Sequence, residues 1–208
     1  MAIFNTIVQG GGSAPEPYPL LSRVKDDSNN EIGTVCGYHT DANNQKYAVV
    51  CLDAQYRTNS VQYCSDNTTT VTNLPAYANA SAFDAKETAT FNCDKILDFC
   101  TLIGGSSSAV SHCRSKSFTI GGVTYYGQLP TINEVMMIFM NRTAINDLDT
   151  SASSYPGEII QTSLFALWSS TQYSNQNGWV GYSSISYDNK TRAPSNYHAA
   201  PVLEIPIN

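Results

Sequence analysis

From residue 31 onward, the apolar positions fall into short blocks whose period changes along the chain. Residues 34–38 and 46–52 are β-branched or apolar runs on either side of Asp41-Ala42-Asn43-Asn44, the pattern of two strands joined by a turn. Residues 53–83 are rich in Asn, Thr and Ser with little periodicity, and read as a long surface excursion. The period then becomes helical. Cys93, Ile96, Leu97 and Cys100 recur at i, i+3, i+4 and i+7, behind Asp84 and Glu87 at the spacing of a capping box, and Gly104-Gly105 supplies the stop. A second helix opens after Pro130, with Thr131 and Glu134 at capping-box spacing and Val135, Ile138, Phe139 and Arg142 as its stripe. Between the helices, residues 118–120 and 123–126 flank Gly121-Gly122 as a short hairpin. After Ser151 the pattern returns to strands at 163–168, 179–182 and 202–205. Strands, helix, hairpin, helix, strands is the order of an α+β fold, with two helices packed on small antiparallel β-sheets.

The first 30 residues differ from the rest. Gly10-Gly11-Gly12-Ser13 followed by Ala14-Pro15-Glu16-Pro17-Tyr18-Pro19 is a flexible, then stiff, linker composition. The apolar piece at 3–8 has two readings, a strand added to a partner chain or a disordered tail. The organisation expected is therefore an N-terminal attachment or linker segment, 1–30, and one domain, 31–208.

Composition narrows the function. Charged residues make up only 13% of the 208, against roughly 25% in an ordinary soluble domain, and Asn, Ser, Thr, Gln and Tyr take their place. That surface hydrogen-bonds and stacks. The net charge of -6, with no Lys/Arg cluster, argues against nucleic acid as a partner. No apolar run reaches the length of a membrane span. Residues 1–12 lack the basic and apolar regions of a secretory signal, so an extracellular location would be reached by assembly or lysis. The six cysteines, Cys36, Cys51, Cys64, Cys93, Cys100 and Cys113, show no C-x-x-C pair and read as buried thiols. Neither a metal nor a cofactor is expected. No phosphate-loop lysine follows Gly10–Gly12, and His112-Cys113 has no evident orienting acid. The expectation is a protein without an enzymatic activity.

Three separated segments share one family pattern. Gly33-Thr34-Val35 with Lys46-Tyr47-Ala48-Val49-Val50 and Asp53-Ala54 resembles the opening hairpin of domains related to the formylglycine-generating enzyme and C-type lectin folds. Gly127-Gln128-Leu129-Pro130-Thr131-Ile132-Asn133-Glu134 is similar to that group's R-L-P-T-x-x-E entry to its second helix, with Gln128 where the group usually has Arg. Trp168-Ser169-Ser170-Thr171-Gln172-Tyr173, followed by Gly178-Trp179, is similar to its W-S-S-T-x-Y … W block. The resemblance covers about residues 31–208. It implies a C-type lectin-like fold, without the calcium signature of sugar-binding lectins. Formylglycine chemistry is not carried over, because no cysteine follows Cys113.

Within this group the chain resembles the variable proteins of diversity-generating retroelements and phage tail-fibre receptor-binding proteins, which place a variable surface near the C-terminus. Here residues 172–198 are dominated by Tyr, Ser, Asn and Gly, the composition of antibody paratopes. The expected ligand contacts are Tyr173, Ser174, Asn175, Asn177, Tyr182, Ser184, Ser186, Tyr187, Asn189, Ser195, Asn196, Tyr197 and His198, with Ser183 and Asp188 among the exposed residues, while Asp188, Lys190 and Arg192 have two readings, a charged rim or ordinary solvated charges. Trp168 and Trp179 belong to the core. Asn codons reach Tyr, Ser, Asp and His by changes at adenines, which suits retroelement diversification. The resemblance implies a virion tail protein assembled in the host cytoplasm. Its receptor would be a bacterial surface protein or glycan, its N-terminal segment would meet other virion proteins, and it would form a homo-oligomer, with a trimer as first guess. An adhesin of the same fold and a purely structural virion protein are the alternatives.

Overall fold

The structure is a computed structural model that describes residues 17–161, 165–182, 184–191, 193–194 and 196–207. The apolar piece at 3–8, the Gly-rich linker, the start of the strand expected at 163, Ser183, Arg192 and Ser195 lie outside the described residues.

The fold is α+β, as the pattern predicted. One sheet has the order β1-β2-β3-β11, from β1 (Arg23–Lys25), β2 (Glu31–Thr40), β3 (Lys46–Leu52) and β11 (Val202–Ile207). The expected hairpin is its centre, with Val35 opposite Val50 and Thr40 opposite Lys46. Ala48 to Leu52 form a continuous buried run because both faces of β3 are covered. One face, with Val35, Val50 and Leu203, packs under the hairpin of β5 (Ser117–Ile120) and β6 (Val123–Tyr126). The other, with Cys36, Val49 and Val202, meets α3 (Ile132–Leu148). Although β1 falls within the segment read as linker, it pairs with β2, and Arg23 holds Asp53 through Nη1 and Nη2 at 2.6 and 2.5 Å. This part of the segment is packed on the domain.

The second sheet has the order β4-β10-β7-β8-β9, from β4 (Thr58–Asn59), β7 (Ala166–Gln172), β8 (Asn177–Gly181), β9 (Ile185–Asn189) and β10 (Tyr197–Ala199). Every residue of β7 is buried. Its polar side chains are tolerated there because each finds a partner. Ser169 Oγ donates to Trp179 O at 2.9 Å, Ser170 Oγ accepts from Asn92 Nδ2, and Gln172 Oε1 accepts from Val71 N and Lys190 Nζ. Thr171 Oγ1 accepts from Ile132 N and donates to Glu87, while Ser170 N donates to Pro130 O. Two of the motif segments noted in the sequence are thus bonded to one another.

Three expectations are corrected. The first helix, α1 (Ala89–Leu102), is capped by Thr88, whose Oγ1 accepts from Phe91 N; Asp84 instead closes a turn onto Lys86 N, and Glu87 is drawn away to Thr171. A further helix, α2 (Ser108–Arg114), lies between Gly105 and the hairpin, capped by Ser107. Its two turns are too short to show a period. Residues 53–83 are not simply a surface excursion, since Val61, Tyr63, Cys64, Val71 and Leu74 enter the core. Beyond the two residues of β4, much of their backbone is held by side chains, such as Trp168 Nε1 on Val61 O and Trp179 Nε1 on Tyr77 O, so no long ladder imposes a period on the sequence. The second cap is as read: Thr131 and Glu134 form a complete capping box. All six cysteines are buried thiols.

A candidate recognition face on the edge hairpin

Some of the residues singled out near the C-terminus lie on the β8–β9 hairpin, where they divide between its two faces. Trp179 opposes Tyr187 and Asn177 opposes Asn189 across β8 and β9, so these four share a face, while Val180, Ser186 and Asp188 point the other way. The strand β9 is the sheet's edge.

On the first face the aromatic rings form a continuous assembly. Tyr173 and Tyr187 stack with centroids 3.9 Å apart and planes 10° from parallel. Trp179 meets both edge-on, at 5.2 and 6.0 Å, and Phe83 is edge-on to Trp179 at 4.8 Å. Tyr77 continues the series against Phe83. Trp179 is buried and braced by its bond to Tyr77 O, whereas Tyr187 remains 49% exposed. A rigid, half-sunk floor therefore carries an open ring. Ordering costs on binding are low for such a set, because Tyr side chains have few rotamers and these are already stacked.

Polar groups frame the rings. Ser174 Oγ accepts from Gln176 N and Asn177 N, closing the turn that displays Asn175. Asn175 Nδ2 donates to Thr68 O, and Asn67 Nδ2 donates to Asn189 Oδ1, which ties the turn to the 66–69 loop. Beside Tyr77 lies a cleft of ≈ 280 Å³ lined by Asp41, Asn43, Asp84, Lys86, Glu87 and Phe91, among others. Tyr77 and Phe83 escaped sequence reasoning. They stand as isolated aromatics in a polar run, and that isolation was the available signal.

On β10 the outcome differs. Tyr197 and His198, expected at the surface, are buried at 4% exposure each. Tyr197 packs edge-on against Trp168 and its hydroxyl bonds Tyr182 and Asp188. Burial, then the bond to Asp188, pushes the Tyr197 phenol well up. His198 stacks on Phe165 at 3.7 Å, with Nδ1 3.0 Å from Glu158. Both are placed inside because β10 pairs with β7 and β4 in the middle of the sheet. Lys190, read as rim, is fully buried, with Nζ 2.7 Å from Gln172 Oε1, and desolvation lowers its pKa to about 8. Tyr182 and Asn196 are half-buried and Ser184 is exposed on the turn after β8. Gln128, at the position where the resembling group has Arg, is buried and donates to Tyr126 O. Metal-ligating side chains gather, among the described residues, at His39, Glu134 and Glu204 under the other sheet.

No protein-family model matches the chain, and no curated protein is significantly similar to it. A fimbrial protein from Bacteroides ovatus ATCC 8483 is similar in structure at a TM-score of 0.42 and 13% identity, over 87% of this chain. The chain spans 45% of that protein's length.

Proposed function

We propose that this chain is a non-catalytic recognition domain of C-type lectin-like fold, and that the Tyr173–Trp179–Tyr187 face is where it binds. The stacked, partly exposed tyrosine pair on an edge hairpin is the observation that carries the reading. Contiguous aromatic surface rimmed by polar groups is the pattern of an interaction site, whereas a lone exposed ring is ordinary. The polar frame of Ser174, Asn175, Asn177 and Asn189 gives the adaptable hydrogen bonding that accompanies Tyr in paratopes. Together with the resemblance of the W-S-S-T and L-P-T-x-x-E segments, this favours a phage or prophage tail-tip protein. Its receptor is a bacterial surface protein or glycan, and its recognition surface is diversified by a retroelement. Tyr197 and His198 serve as frame rather than as contacts. Oligomerisation, with a trimer as first choice, would multiply the effect of each face.

The test is cell adsorption. The purified chain should bind bacteria of a host panel, read by flow cytometry. Tyr173→Ala with Tyr187→Ala should weaken binding at least tenfold at unchanged far-ultraviolet circular dichroism. Tyr126→Ala, which removes a ring 53% exposed on the β5–β6 hairpin, should leave it intact. Full adsorption by the double variant contradicts the reading. Normal adsorption with failed particle assembly would instead favour the purely structural role.

A further inference from the structure

His39 lies on β2 and Glu204 on β11, and their cross-strand partners on β3 are Tyr47 and Val49, two residues apart. Side chains at that spacing share a face, here the one covered by α3. Glu134 comes from the first turn of α3. The three side chains are 5%, 3% and 1% exposed. His39 Nε2 is 3.0 Å from Glu204 Oε1 and 3.7 Å from Glu134 Oε1. A cleft of ≈ 580 Å³, lined by His39, Glu87, Thr131 and Glu134 among others, opens beside them.

Capping accounts for part of this arrangement. Glu134 Oε2 accepts from Thr131 N, and Glu204 accepts from Ala89 N, Thr90 N and Thr90 Oγ1 at the start of α1. Apart from the ion-pair contact of His39 Nε2 with Glu204 Oε1, what capping leaves over is unmatched. Both ring nitrogens of His39, Glu134 Oε1 and Glu87 Oε1 are buried without a hydrogen-bond partner among the described residues. The 3.0 Å approach of His39 to Glu204 lacks the alignment of a hydrogen bond, although its length would allow one. Each such atom costs about 1–3 kcal/mol if nothing satisfies it. A cation shared by all three residues resolves the offset, since ligands flank a neighbour's lone-pair axis rather than lie on it.

We propose that His39 Nε2, Glu134 Oε1 and Glu204 Oε1 bind one divalent transition-metal cation, zinc by preference, with its fourth position turned to the cleft. Metal–nitrogen and metal–oxygen distances of about 2.0–2.2 Å in a tetrahedral site place ligand atoms roughly 3.3–3.6 Å apart. The distances of 3.0 and 3.7 Å fall on either side of that range. Two carboxylates balance the charge of a dication beside a neutral imidazole. The imidazole and the small number of ligands favour zinc over calcium or magnesium, which prefer six or more oxygens. The backbone amides of α1 and α3 that bond the carboxylates act as the outer shell and fix their orientation.

The experiment uses the full chain after chelator treatment. Equilibrium dialysis should show one equivalent of zinc, with a rise in Tm that calcium and magnesium do not reproduce. His39→Gln, folded by circular dichroism, should bind zinc at least tenfold more weakly. Cobalt(II) provides a measurement that needs no variant. It should give the visible bands of a tetrahedral nitrogen/oxygen site with no thiolate charge-transfer band, which separates this site from the six cysteines. No zinc uptake, undiminished uptake by His39→Gln, or a thiolate band would overturn the proposal.

Discussion

Lys190 shows how little a residue's type says about its place. It stands in the most polar stretch of the chain, yet its side chain is enclosed over the Tyr63 ring, 5.6 Å from Nζ to the centroid. Its pKa falls from 10.5 to about 8 through desolvation, so between those values the unfolded chain binds more protons than the folded one. The resulting penalty is complete below pH 8 and gone above 10.5, and amounts to on the order of 3 kcal/mol. Lys190→Met keeps the volume, and Gln172 Oε1 retains its bond from Val71 N. The variant's stability advantage, measured by urea unfolding, should shrink by about that amount from pH 8 to 10.5; a difference independent of pH would show that Lys190 is solvated. Tyr197 and His198 teach the same lesson. Composition marked residues 172–198 as a surface, but facing is set by strand pairing, and β9 and β10 have no apolar alternation to announce it. Tyr173, Tyr187 and the Ser174–Asn175 turn were legible because they needed only to be exposed on a hairpin.

Elements were readable where local chemistry is self-contained. The β2–β3 hairpin, the β5–β6 hairpin and the capping box of α3 each depend on a few adjacent residues. Where a distant group completes the element, the sequence was silent: α1 takes the carboxylate of Glu204, 115 residues away from Ala89, as part of its N-terminal cap. The contact of β8 with α3 is another long-range dependence. A Cβ on Gly181 would lie 2.2 Å from Val135 Cγ1, with Phe139 close behind. Gly181→Ala should therefore cost about 1–3 kcal/mol by overpacking, read as a lower urea midpoint. Adding Val135→Ala should recover part of that loss, because the two sites are in contact. Strictly additive losses would mean that the helix moves aside freely.

At the scale of the molecule, two short crossings of the chain join the two larger sheets, from β3 through residues 53–57 into β4 and from β10 through Ala200 and Pro201 into β11. The C-terminal strand was legible as a closing strand, although the change of sheet was not, since nothing in three residues of β10 signals a parallel partner. Around these crossings the molecule separates a buried frame from a more exposed face. Trp168, Trp179, Lys190, Tyr197 and His198 are buried frame. Ser174, Asn175, Asn177, Ser184, Tyr187 and Asn189 are exposed or half-exposed. If the edge hairpin is a diversified recognition surface, the two sets must vary differently. Sequencing this gene across independent isolates of its source is the direct test. Substitutions should concentrate at the second set and at its neighbours in residues 172–189, while the five framing residues stay constant. Sparse substitution spread evenly over both sets would refute a diversified recognition surface.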